Sequence, residues 1–481
     1  MKKKLLAGFL GACMMTTLLA GCGSDNKSTE STTAKDTTEA KKDDATEATE
    51  ATGDAETTET AATGDGEVVN VYAFTDEVPN MIKKYIELHP DCGFTIKETI
   101  VATTDGAYQP ALDMALTSGG ADAPDIYCAE AAFVLKYTQG DMKDYAAAYD
   151  DLGIDTTAAI QAADIAQYSV DLGTNPDTGK VVGLGYQATG GAFIYRRSIA
   201  KDVFGTDDPA TIAEKIGPGW DKFYAAAEEL KAKGYGIVSG DGDIWHAVEN
   251  SSDQGWVVDG KLTIDPKREE FLDLSKKLKD NDYHNDTTDW QDAWFSDMKG
   301  EGSKQIFGFF GPAWLINYTL APNCGGSAVG EGTYGDWAVC NSPIGFFWGG
   351  TWVLANKDTT KKESVKKIIE WITLDCTKDG LQYMWANGLM NDKGTKDAVA
   401  SGTVMAMSDG SVDFLGGQNM FDAFIEGNKY ANGKNLTQYD EKINSFWRDQ
   451  VREYTAGNKS REDAIKDFKQ NVADNLDVVV E

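Results

Sequence analysis

A chain of 481 residues with a formal net charge of −32 is a poor partner for nucleic acid or for anionic lipid headgroups, since both are gripped by clustered Lys and Arg. Seven cysteines over this length exclude a small disulfide-stapled domain. After the N-terminal segment no stretch of 18 or more apolar residues offers a membrane span.

The first 22 residues, MKKKLLAGFLGACMMTTLLAGC, set three lysines ahead of an apolar run and end on small residues. That order predicts a secretory signal peptide over residues 1–21. The closing Leu19-Ala20-Gly21-Cys22 resembles the lipobox of bacterial lipoproteins. The resemblance implies cleavage before Cys22, lipid on that cysteine, and a protein held on the extracellular face of a cell membrane. A Gram-positive cell plan would give such an anchor its purpose. Residues 23–66 contain no Val, Ile, Leu, Met, Phe, Tyr or Trp, and carry 12 acidic residues against 4 lysines. With nothing apolar to bury, the tract is expected to be a disordered spacer with a reach of roughly 35–40 Å.

The folded body is expected from about residue 67. Its length predicts two lobes. In chain order, VVNVYAF (68–74) reads as a strand, MIKKYIELHP as a helix stopped at Pro90, FTIKETIVA as a strand and PALDMALTSGG as a helix stopped by glycines. APDIYCAE, KVVGLGYQ and GAFIYRR read as strands, and GWDKFYAAAEELKAKGYG as a helix ending at Gly234. WAVCNSPIG and TWVLANK are further strands, KKESVKKIIEWITL is a helix, and three helices close the chain after Leu415. Such alternation predicts an α/β fold with parallel-rich sheets. Cys92, Cys128, Cys324, Cys340 and Cys376 are expected to be mostly free thiols, with a pair such as Cys324 and Cys340 left open.

Five places carry a family likeness. They are Ala123-Pro124-Asp125-Ile126-Tyr127, the run Val181 to Arg196, Phe310-Gly311-Pro312-Ala313-Trp314 after Lys299-Gly300, Gly349-Gly350-Thr351-Trp352-Val353, and the helix Ser364 to Leu374 followed by Asp379-Gly380. Together and in this order they resemble the extracellular solute-binding proteins of ABC transporters, in the carbohydrate-binding branch related to maltose-binding protein. Two departures stand out: Leu184-Gly185-Tyr186 where the family has a proline, and Arg196-Arg197 where it has Tyr-Asn.

The resemblance implies a two-lobed α/β fold of the periplasmic-binding-protein type (type II), with the ligand in the cleft. The first lobe would take residues 68–185 and 350–415, and the second 186–349 and 416–481. Gly185 and Gly190 on one crossing, and Gly349 and Gly350 on the other, would act as hinges, because glycine absorbs large backbone rotations. A sugar presents apolar C–H faces to aromatic rings and hydroxyls to fixed polar groups. On that chemistry the resemblance points to Trp314, Trp348, Tyr186 and Trp245 as stacking residues, and to Asp76, Glu130 and Gln187 as hydrogen-bonding residues. Trp220, Trp371 and Trp447 fall at helical spacing among apolar neighbours and belong to packing, while Asp125 reads as a strand-end cap. The implied partners are a carbohydrate and the transporter's permease subunits, with the receptor itself a monomer.

Catalysis is the rival class. The chain has no Gly-x-Ser-x-Gly and no Gly-Lys-Ser/Thr loop, and His89, His246 and His284 stand apart, so neither a nucleophile, a cofactor nor a metal site is legible. Residues 330–335 match Gly-x-Gly-x-x-Gly but lead into a strand, not a helix, and Asp241-Gly242-Asp243 lacks the other ligands of a calcium loop. Two alternatives stay open: a lipoprotein carbohydrate-active enzyme, and a receptor for a non-sugar solute such as a polyamine, which the acidic charge would suit.

Overall fold

The computed structural model describes residues 56–60, as backbone, together with 66–103 and 106–481. The expected signal peptide, Cys22 and most of the acidic spacer lie outside the described residues. Eleven strands are present among those described: β1 (Glu56–Thr60), β2 (Glu67–Ala73), β3 (Phe94–Ile100), β4 (Ile126–Glu130), β5 (Gly183–Gly185), β6 (Ala192–Arg196), β7 (Val257–Val258), β8 (Lys261–Leu262), β9 (Gly308–Gly311), β10 (Trp337–Cys340) and β11 (Thr351–Ala355). They form a six-stranded sheet in the order β1-β3-β2-β4-β11-β5, a three-stranded sheet β10-β6-β9 and the small hairpin β7-β8.

Each large sheet is buried on both faces. In the first, Val69, Val71, Ile96, Ile126, Cys128 and Val353 point to one core, while Tyr127, Ala129, Trp352 and Leu354 point to another on the opposite face. In the second, Phe193, Tyr195, Phe310 and Ala338 share a core with the helix Trp220–Ala232, while Ile194, Phe309, Trp337 and Val339 face the other way. This alternation is the two-residue period of a strand, applied to near-continuous apolar runs. The helix Lys362–Ile369, continued to Leu374 by a wide turn, covers β2 and β11 with Val365, Ile368, Ile369 and Ile372. Trp371 and Trp447 are buried, and Trp220 packs on Phe223, as the helical spacing predicts.

Three expectations need correction. Only the pairs β2–β3 and β2–β4 are parallel; β11 runs antiparallel to β4 and β5, and the second sheet is wholly antiparallel. The first sheet is therefore mixed, because β11, returning from the other sheet, enters against the direction of its neighbours. Next, Glu56–Thr60 is not spacer. It pairs antiparallel with β3, Glu56 opposite Ile100 and Thr60 opposite Ile96. An edge strand leaves a row of backbone groups open to pairing, and a Thr-rich segment fits such an edge. Finally, the segment assigned to the first lobe up to residue 415 straddles both: Ser401 bridges Ile165, but Val404, Phe414 and Leu415 join a core of the second sheet. All five described cysteines are free.

Asp125 locks the first sheet. Its Oδ2 accepts the Asn70 amide N–H (2.8 Å) and the Lys361 ammonium (2.7 Å), and its Oδ1 accepts the Thr359 hydroxyl (2.7 Å). The carboxylate thus ties β2 to the chain that follows β11. Removing one member of a buried ion pair leaves the other charge stranded, so Asp125→Ala is expected to cost about 3 kcal/mol or more, read as a lower urea midpoint. A midpoint unchanged from the parent chain would contradict this role.

Candidate ligand site

Two passages of chain, 186–191 and 346–350, run side by side between the two sheets. Gly191 N–H donates to Phe346 O (2.9 Å), Trp348 N–H to Thr189 O (3.1 Å) and Thr189 Oγ1 to Gly349 O (3.0 Å). A third passage joins them, with Ala188 N–H donating to Ala398 O (3.1 Å) and Ala400 N–H to Tyr186 O (2.9 Å). Of the expected hinge glycines, Gly190, Gly349 and Gly350 lie within these passages, and Gly185 precedes them in β5. Gly185 pairs with Trp352, and Gly190 donates its N–H to Asn428 Oδ1 (2.9 Å). Gly349 and Gly350 have φ of 72° and 110°, a region that L side chains rarely adopt.

The turn at Gly349 brings candidate ligand-binding side chains together. A Cβ there would stand 3.3 Å from Glu130 Oε1 and 3.4 Å from the Trp314 ring. Trp314 follows Pro312 at the end of β9, and its indole N–H donates to Trp348 O (3.0 Å). The Trp314 and Trp348 rings meet edge to face, with centroids 4.7 Å apart. Trp348 lies flat on His246, at 3.4 Å between centroids and 12° between planes. Outward of this pair stand Trp290 and Tyr318, 42% and 65% exposed. Trp290 is offset and nearly parallel to Trp314, at 6.3 Å and 11°. Half-buried and exposed indoles in one group form a surface suited to the apolar face of a ring.

Carboxyls close the other side. A cavity of about 60 Å³ is lined by Glu130, Trp348 and Gly349 together with Glu249, Asn250, Asp440, Glu441 and Asn444. Glu130 ends β4, whereas Glu249 closes the helix Asp241–Glu249 that packs in the second core. Burial pushes the Glu130 carboxyl up to about 8, against a hydrogen bond from the Ala132 N–H (2.7 Å), and the charges of Glu249 and Glu441 push the same way. Glu249 is raised by burial to about 7 although Arg448 and Arg268 oppose it, and Asp440 is raised by burial to about 6. Behind them, burial opposes ionisation of Asp289, but His246 and the Arg448 guanidinium (2.6 Å) outweigh it and hold that carboxyl below its usual range. Burial lowers the His246 imidazole below its usual range, which Asp289 only partly offsets.

A second constellation sits on the first crossing. The Tyr186 hydroxyl bonds Glu77 at the start of the helix Glu77–Leu88, and Gln187 bonds Asp397. Burial raises Glu77 above its usual range and lifts Asp397 to about 8.

Of the residues expected from the sequence, Trp314, Trp348 and Glu130 converge, and Gln187 lies on the crossing. Three others lie apart from this group. Trp245 is 1% exposed and packs on Phe271 (4.9 Å) in the second core; its chain neighbour His246 faces the indoles instead. Tyr186 is fully buried, so its ring packs within the first core and offers no stacking face. Asp76 is exposed at the helix start, where its Oδ2 accepts from Asn80 (2.9 Å). Sequence reading passed over Trp290, His246, Glu249, Asp440 and Glu441. Asp440 and Glu441 open the helix Asp440–Thr455, and acidic residues there read as helix-dipole partners. Trp290 carried the one usable signal, an indole between two polar residues just ahead of a helix.

Residues 73–375 match the model of the bacterial extracellular solute-binding proteins. The chain belongs to this family. Solved structures share its two-lobed, periplasmic-binding-protein-like fold. An extracellular solute-binding protein of family 1 is 19% identical at a TM-score of 0.67, covering 85% of this chain and 99% of its own. The galacto-N-biose/lacto-N-biose I-binding protein of Bifidobacterium longum, in complex with lacto-N-biose, is 16% identical at 0.64, covering 87% and 100%. An ABC substrate-binding protein of Listeria monocytogenes, in complex with cycloalternan, is 16% identical at 0.61, covering 85% and 99%. No curated protein sequence matches the chain. Among the described residues no helix is long and apolar enough to cross a membrane, and no cluster of His, Cys, Asp or Glu is arranged to hold a metal ion.

The carboxyls of this solute-binding protein dictate how its stability responds to pH. Glu130, Glu249 and Asp440 are raised to about 8, 7 and 6, from ordinary values of 4.5, 4.5 and 3.8. Between each pair of values the folded chain binds more protons than the unfolded one, so stability falls as pH rises through that window. Asp289 contributes oppositely only in acid below its ordinary 3.8, while His246 and His284, lowered by burial from 6.5, oppose the trend only as pH rises toward that value. Urea unfolding is expected to show a stabler protein at about pH 5 than at about pH 8.5, with Glu130→Gln flattening part of the loss. A protein stabler at the higher pH would contradict these assignments.

Proposed function

We propose that this chain is an extracellular receptor for a sugar or oligosaccharide, which it delivers to the permease of an ABC transporter without transforming it. The observation that carries the reading is the convergence of Trp348, Trp314 and Trp290 with Glu130 at the crossings between two separately packed sheets. Stacking faces and polar groups from both sheets meet where a ligand would touch both. The sugar ligands of the Bifidobacterium and Listeria proteins support the same class of ligand.

Closure follows from linkage. A ligand that contacts Glu130 on the first sheet and Trp314 and Trp348 on the second stabilises only the arrangement in which both sets are within reach. Rotation at Gly349–Gly350 and along 186–191 supplies the motion, with Gly185 and Gly190 on the first crossing and the remaining lobe limits as set out above. Cys22 carries the lipid, the segment up to Glu56 is the tether, and the receptor works as an anchored monomer on the outer face of the membrane. Tethering raises its concentration near the permease.

Two measurements test this. Titration calorimetry against a panel of disaccharides and oligosaccharides is expected to show saturable binding without product release, and Trp348→Ala or Trp314→Ala to weaken it by about 1–3 kcal/mol. Full affinity in both variants would remove the aromatic group from the site, and steady product release would replace the receptor with an enzyme. Expression of Cys22→Ser is expected to move the protein from the membrane fraction to the medium; unchanged membrane retention would contradict the anchor.

A further inference from the structure

The cavity beneath Trp348 has a chemistry that a neutral sugar leaves unexplained. Glu130, Glu249, Asp440 and Glu441 line it, and no lysine or arginine does so among the described residues. The two arginines whose charges reach these groups are engaged elsewhere. Arg448 holds Asp289 through both terminal nitrogens (2.6 and 3.3 Å). Arg268 donates to the carbonyls of Gln254 and Glu249 (3.2 Å each) and lies 4.4 Å from the Trp256 ring. Two positive charges therefore stand against four lining carboxyls and Asp289.

A second, independent feature marks the same place. Asp440 is only 5% exposed, and its Oδ1 accepts from the Thr437 N–H and hydroxyl. Its Oδ2, equally buried, has no hydrogen-bond partner among the described residues. A buried carboxylate oxygen without a donor is costly, and a donor arriving with the ligand would remove that cost. The cavity of about 60 Å³ has room for a small polar group, several times what one water needs.

We propose that this cavity seats a protonated amine of the ligand, with Glu130 contributed by the first sheet and Glu249 and Asp440 by the second. The ammonium draws the carboxyls of both sheets onto one charge, so it favours closure as well as binding. The inference rests on the cleft assigned above as the ligand site. The same ammonium chemistry occurs on an amino sugar and on an aliphatic polyamine, and the two sources are separable.

The full chain is titrated at neutral pH with three probes: a glucosamine oligomer, its N-acetylated and hence neutral counterpart, and spermidine. The glucosamine oligomer is expected to bind at least tenfold more tightly than the N-acetylated one, and to weaken with added salt. Glu130→Gln and Glu249→Gln should each reduce amine affinity at least tenfold without lowering the urea midpoint below that of the parent chain. If one variant fails to fold, the exposed Glu441→Gln gives a milder loss in the same direction. Binding of spermidine alone, lost in the Glu130→Gln variant, would uphold the ammonium site and overturn the sugar reading. Equal or tighter binding of the N-acetylated oligomer, undiminished amine affinity in both Gln variants, or no binding of any amine would overturn the ammonium site and leave the sugar reading to its own test.

Discussion

The hydrogen-bonded ladder between 186–191 and 346–350 is the constraint on which the rest of the molecule depends. Thr189 is at its centre, receiving the Trp348 N–H at its carbonyl and giving its hydroxyl to Gly349 O. These passages, with the third at 398–400, tie the two sheets to each other through backbone hydrogen bonds. The same ladder fixes the turn at Gly349, and that turn sets Glu130 from one sheet against Trp314 and Trp348 from the other. The proposed hinge and the proposed site thus share one piece of chain. A side chain at Gly349 would need a strained φ and would also press on Glu130 and Trp314.

Electrostatics and packing pull against each other around this turn. The aromatic group is stabilised by burial, and the same burial raises Glu130, Glu249 and Asp440 toward or beyond neutral pH. A fold selected for stability alone would place apolar residues there, because buried carboxyls oppose it unless paired. Groups whose ionisation is held back by burial concentrate where proteins bind and react. In the receptor proposed here the ligand supplies the compensation, so the cost of burying these carboxyls becomes part of its affinity.

Much of the fold was legible from the chain itself. The helices Trp220–Ala232, Asp440–Thr455 and Arg461–Asn475 follow from apolar spacing and their stops, and β2, β3, β4 and β11 from short β-branched runs. Strand direction was not legible, because it depends on which sheet a strand returns from. Glu56–Thr60 was missed for a related reason: its pairing is dictated by the open edge of β3, not by any apolar pattern of its own. Trp314, Trp348 and Glu130, which the structure brings together, each adjoin a motif. Trp245 and His246 show the limit, since adjacent residues on one helix face opposite ways and only the packing of that helix decides which meets the indoles.

The central claim is that one ligand is held by both sheets at once. Hydrogen exchange of the full chain, with and without the tightest-binding member of a panel of neutral and amino disaccharides, reads this at the backbone. Protection is expected to rise together in the segment from Glu130 to Leu135 on the first sheet and in the segments around Glu249 and Asp440 on the second. Protection confined to one of the two sheets, with the other exchanging as before, would contradict it.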